Sequence, residues 1–361
     1  MYAYDVAYEI DIPKVREYVR QRAQYLEVRP DKTIPRDFPF YKPLLIEEHP
    51  IVVQSPVGEL TLRREVKVFS VGALSISIRV DFDVRSLGDL LEYHSLRLDG
   101  DRTMDDVAGG IAQQMLDSIA PFLTKPSPGK GNPEAYTVFC LYDHGPERAH
   151  ANARGWLKTH RREVAGLLTE EAQFEALSEE EVEETVRHSY CYTAHDLIVV
   201  DWNGALIVDP DGKPEDLLYT IEMANVQLTE LRLFDRLLEE GVDKAYDDIE
   251  AYTRQAPLFQ GPGEILTRLR SMRMDLEKLS EELSNITKFF GDWHLARIYM
   301  ACADRFHLKD WQRSVESKLK TLDGLYNLVL SDINNRRMLI LEAAIVALFV
   351  ADLVLIFLKA G

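Results

Sequence analysis

Leu74-Ser75-Ile76-Ser77-Ile78-Arg79-Val80-Asp81-Phe82 alternates apolar and polar residues without a break. A strand throws successive side chains to opposite faces, so Leu74, Ile76, Ile78, Val80 and Phe82 line one side and Ser75, Ser77, Arg79 and Asp81 the other. The pattern predicts an antiparallel sheet with one face on a core and one face in water. Apolar runs at Ile51 to Val53, Leu60 to Leu62 and Val66 to Val71 supply neighbouring strands. A short helix from Lys14 to Leu26, with Pro13 at its start, precedes them, and a longer one from Met104 to Leu123 follows. Residues 1–125 therefore read as an N-terminal α+β domain, bounded by the loop PSPGKGNP from Pro126 to Pro133.

A second α+β section, 134–257, opens with the strand Tyr136 to Tyr142. Two helices follow, Pro146 to Leu168 and one begun by Ser178 with Glu181 at capping-box spacing. Leu197 to Trp202 and Ala205 to Val208 then flank Asn203-Gly204, the pair best suited to the positive φ angles of a type I′ hairpin. The loop Asp209 to Pro214 leads into a helix from Glu215 to Glu240. Its apolar stripe is Leu217, Ile221, Ala224, Leu228, Leu231 and Leu238. Beside it runs a polar ridge of Glu222, Asn225, Thr229, Arg232 and Arg236, either a salt-bridged surface or a face for another subunit. Glu222, Asn225 and Arg232 are the candidate partner contacts.

From Gly263 the period changes to heptads. Ile265, Leu269, Met272, Leu276, Leu279, Leu283, Ile286 and Phe290 form one seam, and Leu308, Trp311, Val315, Leu319, Leu322, Tyr326, Val329 and Ile333 a second. The expectation for 262–336 is a helical coiled-coil hairpin, its seams pairing within one chain or between chains. Met338 to Leu358 is then almost continuously apolar, with Arg336 and Arg337 before it and Lys359 after it. Such a helix spans roughly 30 Å, the thickness of a bilayer core. A buried core helix is the competing reading, favoured by Glu342 and Asp352; against it, a helix apolar on every face needs a shell all round. The expectation is one transmembrane helix at 338–358, continuous with the preceding heptads.

Within that span Ala343, Ala347 and Ala351 repeat every four residues, a spacing that lets membrane helices approach closely. A carboxylate at Asp352 would need a partner or a proton there, whereas Glu342 can reach the interface. Self-association through stalk and tail is therefore the expected partnership, alongside membrane lipid. The formal charge of −18 argues against a direct nucleic-acid surface and against attraction to anionic headgroups. Met1 to Lys14 lacks the pattern of an export signal, and Cys140, Cys191 and Cys302 read as reduced thiols. The bulk of the chain is placed on the cytoplasmic side of a single-pass anchor.

Chemistry-bearing groups are sparse. His188, Cys191 and His195 have the donor types for Zn²⁺, but strand geometry places residues three apart on opposite faces; His144 and His150 do not alter this. Asp201, Asp209 and Asp211, like Asp81 and Asp83, sit where turns and strand ends select acids for local bonds. GKG at Gly129 to Gly131 has no Ser/Thr-led helix after it, and neither Gly-x-Ser-x-Gly nor His-Glu-x-x-His occurs. No cofactor or metal is expected, no ligand class is indicated, and an enzyme is unsupported.

The layout LIVVDWNG (Leu197 to Gly204), ANVQLTELRLFD (Ala224 to Asp235) and NNRRMLILEAAIV (Asn334 to Val346) resembles the required-for-meiotic-nuclear-division family, mainly over the C-terminal half. That resemblance implies a membrane-associated, homo-oligomeric protein without an established activity. The resulting expectation is a tail-anchored protein with a cytoplasmic α+β head, acting as an oligomeric scaffold or recruitment platform. The alternative is a membrane-bound enzyme or ligand sensor with its site between the two α/β sections.

Overall fold

A computed structural model describes residues 1–20, 23–25, 43–127, 132–142, 152–255, 267, 270, 274 and 292–360. The chain divides into two compact units, Met1–Leu233 with Asn285–Asp310, and Phe234–Ser284 with Trp311–Gly361. The fold is mixed α+β, with an antiparallel-sheet domain and a long C-terminal helix.

In the first unit, strands β1 (Tyr2–Asp5), β3 (Ala23–Tyr25), β4 (Leu44–Ser55), β5 (Gly58–Val68), β6 (Ala73–Arg79) and β8 (Glu134–Ala135) form one antiparallel sheet, ordered β3-β4-β5-β6-β1-β8. Short strands β2 (Ala7–Ile10) and β7 (Leu123–Pro126) pair beside it. The expected runs at 51–53 and 60–62 and the first half of that at 66–71 are parts of the β4-β5 hairpin, which ends at Val68. Helix α1 is shorter than expected, Ile12–Tyr18, started by the Asp11 carboxylate accepting from Lys14 N–H. Helix α2, Met104–Ile119, is fixed at its start by a Thr103/Asp106 capping box and buries Val107, Ile111, Met115 and Ile119 against Leu74 and Ile76.

The other face of this sheet is wet, as expected, at Thr61 and Arg63 of β5 and Glu47 of β4, but dry where β5 ends and β6 begins. Ser75 and Ser77 are 0% and 4% exposed, and Lys67 of β5 only 6%. Helix α5, Glu215–Gln255, covers them with its first turns. Every residue from Leu218 to Leu231 is buried, polar ones included, because the helix is enclosed on all sides. Only the end of the β6 pattern stays wet, where the exposed Asp81 pairs with Arg63. Beyond Arg79 the chain leaves the sheet, and Phe82 joins a second core through Tyr93 and Phe139.

That second core lies on a four-stranded sheet ordered β10 (Ser189–Tyr190), β11 (Leu197–Val200), β12 (Gly204–Val208) and β9 (Thr137–Leu141). β12 pairs with β9 in parallel, the crossover carrying helices α3 (Ala153–Leu168) and α4 (Glu179–Thr185). Ser178 caps α4 as expected, accepting from Glu181 N–H at 3.1 Å. The β11-β12 hairpin exists, but its turn is not type I′. Asp201 N–H donates to Gly204 O at 2.9 Å, leaving Trp202 and Asn203 at the tip, and none of Trp202, Asn203 and Gly204 has a positive φ. Gly204 is needed for another reason: a Cβ there would stand 2.9 Å from Thr137 O of β9. Helix α6, Trp293–Arg305, completes this unit by burying Ile298, Tyr299, Ala301 and Cys302.

The second unit contains the far half of α5 and most of α7, Leu308–Ala360. Asp235 accepts from Ser314 at 2.5 Å and pairs with Lys318 at 2.9 Å, and Glu239 reaches Lys318 at 3.0 Å. Along α7 the buried residues are Leu308, Val315, Leu322, Leu325 and Val329; Leu325 lies off the second seam, whose Trp311, Leu319 and Tyr326 are half-buried. The first seam, Ile265 to Phe290, lies outside the described residues apart from the backbone at 267, 270 and 274 within its span. α7 is one helix of 53 residues, about 80 Å long. Among the described residues no helix is long and apolar enough to cross a membrane. The side chains of Leu353 and of residues 356–361 fall outside that description.

Candidate functional site

Two regions concentrate the groups capable of function: the buried polar layer around α5, and the exposed end of α7. In the first, β-strand alternation carries Lys67 and Ser75 to the back of the sheet, opposite the apolar core. Glu222 meets both, its Oε1 accepting from the Ser75 hydroxyl at 2.6 Å and its Oε2 pairing with Lys67 Nζ. Lys67 Nζ also lies 5.5 Å from the centre of the Tyr219 ring, whose phenol burial pushes well above its ordinary pKa. One turn along α5, Asn225 Nδ2 donates to Glu134 O at 2.9 Å, and Arg232 Nη1 holds both Glu134 oxygens at 2.5 and 2.6 Å. Of the ridge read either as a salt-bridged surface or as a face for another subunit, these three residues meet the chain's own first sheet, and Arg236 stays exposed. Glu222 and Asn225 are spent inside the fold, and half-buried Arg232 on β8.

A second polar knot joins α6 to the β11-β12 hairpin. Arg305 pairs with Asp201 and, at 2.9 Å, with Glu184 at the end of α4. Tyr136 directs its hydroxyl to the carbonyl oxygens of Asp201 and Gly204, at 2.8 and 2.7 Å. His188 Nε2 stands 3.2 Å from Asp304, and burial keeps its pKa below the usual imidazole value. The His188, Cys191 and His195 set does not converge: His195 is exposed, and the charges that act on Cys191 are those of Arg154 and Asp196. Asp209 is occupied by its own turn, accepting from Asp211 N–H at 3.0 Å and Lys213 N–H at 2.9 Å. His144 and His150 lie outside the described residues, among which no three His, Cys, Asp or Glu side chains gather as metal donors.

A cleft of about 530 Å³ opens elsewhere, within the first section and not between the two. Ile46, Ile111 and Met115 form its floor, with Glu17, Arg20 and Glu48 at the rim. Lys67, Glu134 and Arg305 pair with charged groups far away in the chain, and periodicity marks none of them. The one visible signal was a lysine inside the apolar run Val66 to Phe69.

On α7, Arg336 Nε pairs with Asp332 at 2.9 Å. Arg337 lies on the same helix, its side chain outside the described set. From Met338 to Leu355 every described side chain is exposed, including Glu342, Ala343, Ala347, Ala351 and Asp352. Eleven large apolar residues in this stretch lie between 45% and 69% open. Covering each would contribute on the order of 1 kcal/mol or more, a sum beyond ten for the whole run.

No solved structure matches the chain. A protein of Methanocaldococcus jannaschii described as uncharacterized protein MJ0711 is 24% identical over 254 residues, 69% of this chain and 73% of that one. Neither this relative nor the family match indicates the required-for-meiotic-nuclear-division family, so that resemblance is withdrawn. It rested on a hairpin, a long helix and an apolar run, a layout that unrelated chains share. The matched family is described as "Uncharacterized protein MJ0711, N-terminal domain", it covers residues 1–215, and the chain belongs to it.

Proposed function

We propose that this chain is a membrane-anchored scaffold or recruitment platform, its α+β head on the cytoplasmic side and residues 338–358 inserted in a bilayer. The observation that carries the reading is the run from Met338 to Leu355, apolar and exposed on every face of a continuous helix. Water around such a helix is costly, and lipid supplies the missing shell without a further protein element. The basic pair Arg336 and Arg337 at the start of the run suits the cytoplasmic interface. Ala343, Ala347 and Ala351 offer close helix approach, and Asp352 a polar group that a second copy could satisfy. The head's own polar groups favour a binding platform over chemistry at the expected inter-section site, because Asp201 and Asp209 are committed to Arg305 and a turn.

Membrane fractionation tests the anchor. Full-length protein should remain with carbonate-washed membranes, and a chain ending before Arg336 should move to the soluble fraction. A truncated chain that stays in washed membranes would refute this reading.

A further inference from the structure

We infer that the cleft against the first core binds a small organic amine, its apolar body on Ile46, Ile111 and Met115 and its cationic group at Glu48. With a volume of about 530 Å³ the cleft falls in the range of small-molecule sites. The end of α1, the second half of α2 and strand β4 bound it. The lining residues all lie inside the span matched by the family, apart in sequence from the proposed anchor.

Glu48 is the residue that points to a ligand. Alternation along β4 turns Ile46 and Glu48 to the same side, and Ile46 is fully buried there. A half-buried carboxylate in this core-facing series is out of place unless something meets it. Its neighbour across the β4-β5 ladder, Arg64, turns away and donates to His49 O at 2.6 Å. The register shifts between Glu48 and Ile51, and that irregularity returns Ile51 and Val53 to the core side while leaving Glu48 at the cleft.

The surroundings of Glu48 favour a cation. Glu17 adds a second carboxylate, and among the described residues no basic side chain pairs with either acid. Tyr18, 64% exposed and tilted against Phe122 at 5.7 Å, brings an aromatic ring to the same rim. Helix α2 turns its C-terminal part, with Met115 and Ser118, toward the cleft, and that is the negative end of the helix dipole. Arg20, exposed at the rim, is the opposing charge.

Saturation-transfer NMR on the full-length protein in mild detergent, with detergent alone subtracted, tests the site with phenethylamine as the probe. Wild type should bind it saturably, and phenylacetate at least about tenfold more weakly. Glu48→Gln should weaken phenethylamine about fivefold while leaving neutral phenylethanol unchanged, and Arg20→Gln should tighten the amine about twofold. Gln114→Trp, a change at an exposed position on the cleft wall, should abolish binding of all three. No saturation in wild type below about 10 mM overturns the proposal. Unaltered affinity in Glu48→Gln or in Gln114→Trp does so as well, and tighter binding of phenylacetate than of phenethylamine overturns the ligand class. Should Glu48→Gln fail to fold, Glu17→Gln repeats the charge test, with weakening of about threefold expected and an unchanged affinity overturning the inference.

Discussion

The ammonium of Lys67 and the carboxylate of Glu222 meet between the back of the first sheet and helix α5, with 6% and 1% of the two residues open to solvent. Ser75 supplies the carboxylate's other hydrogen bond. Two charges removed from water lose hydration that their attraction restores only when geometry is close and every oxygen is used. The pair also fixes the register of α5 on the strands, because a slide by one residue would leave both charges buried and unmatched.

Breaking one side of this pair should therefore cost more than removing both. Lys67→Met or Glu222→Gln should lower unfolding free energy by about 3–5 kcal/mol, while the double replacement Lys67→Met with Glu222→Met recovers most of it. Urea unfolding of the four proteins measures this. A single-variant loss below about 1 kcal/mol would show that the pair is hydrated.

Glycines separate by what stands beside them. At Gly72 a Cβ would fall 1.7 Å from Ala7 O, on a backbone with φ +94°, whereas at Gly58, φ +116°, nothing lies within 4 Å. Gly72→Ala should cost more than about 3 kcal/mol and Gly58→Ala about 1. Equal thermal shifts for the two would contradict the close approach of β2 to the β5-β6 turn.

Burial lowers the pKa of His188 and also of His294. For a histidine the depressed folded value means that the unfolded chain binds protons first. The stability due to neutral imidazole is complete above about 6.5, the unfolded value, and is lost as pH falls through the lower folded values. His188→Gln should accordingly flatten the fall in urea midpoint between about pH 7.5 and 5.5. An unaltered slope would mean that His188 titrates alike in both states.

If the span associates with a second copy, Ala347→Ile should reduce the mass of the detergent-solubilised particle. Asp352→Asn keeps a hydrogen-bonding group and should reduce it less than Asp352→Leu. Light scattering on the four proteins decides, and one mass for all of them removes the tail as the contact.

Local patterns are readable where one interaction dominates. Ser178 at α4 is legible because a cap needs only two residues three positions apart, although the equivalent box at Thr103 and Asp106 emerges only from the structure. On α7 the seam is legible in part: Leu308, Val315, Leu322 and Val329 are buried every seventh residue, while Leu325 is buried off the seam. Alternation in β6 marks the strand and misjudges its second face. Serines carry no mark that distinguishes water from a neighbouring carboxylate, and Glu222 lies 147 residues beyond Ser75. Asn203-Gly204 misleads similarly: the glycine answers to Thr137 on a parallel neighbour and not to the turn. Arg305 and its acids are more than 100 residues apart, beyond any spacing rule. The apolar character of 338–358 is legible in full, because it depends on no partner within the chain.

The family match stops at residue 215, where α5 begins. A recombinant piece cut at that boundary would leave an orphaned ammonium at Lys67 and bare backs of strands β5 and β6. It should be recovered as insoluble material, whereas a split protein that adds a peptide beginning at Glu215 should be rescued. The block that the family shares and the block that folds are different objects in this protein, and the helix that starts at the boundary belongs to the second.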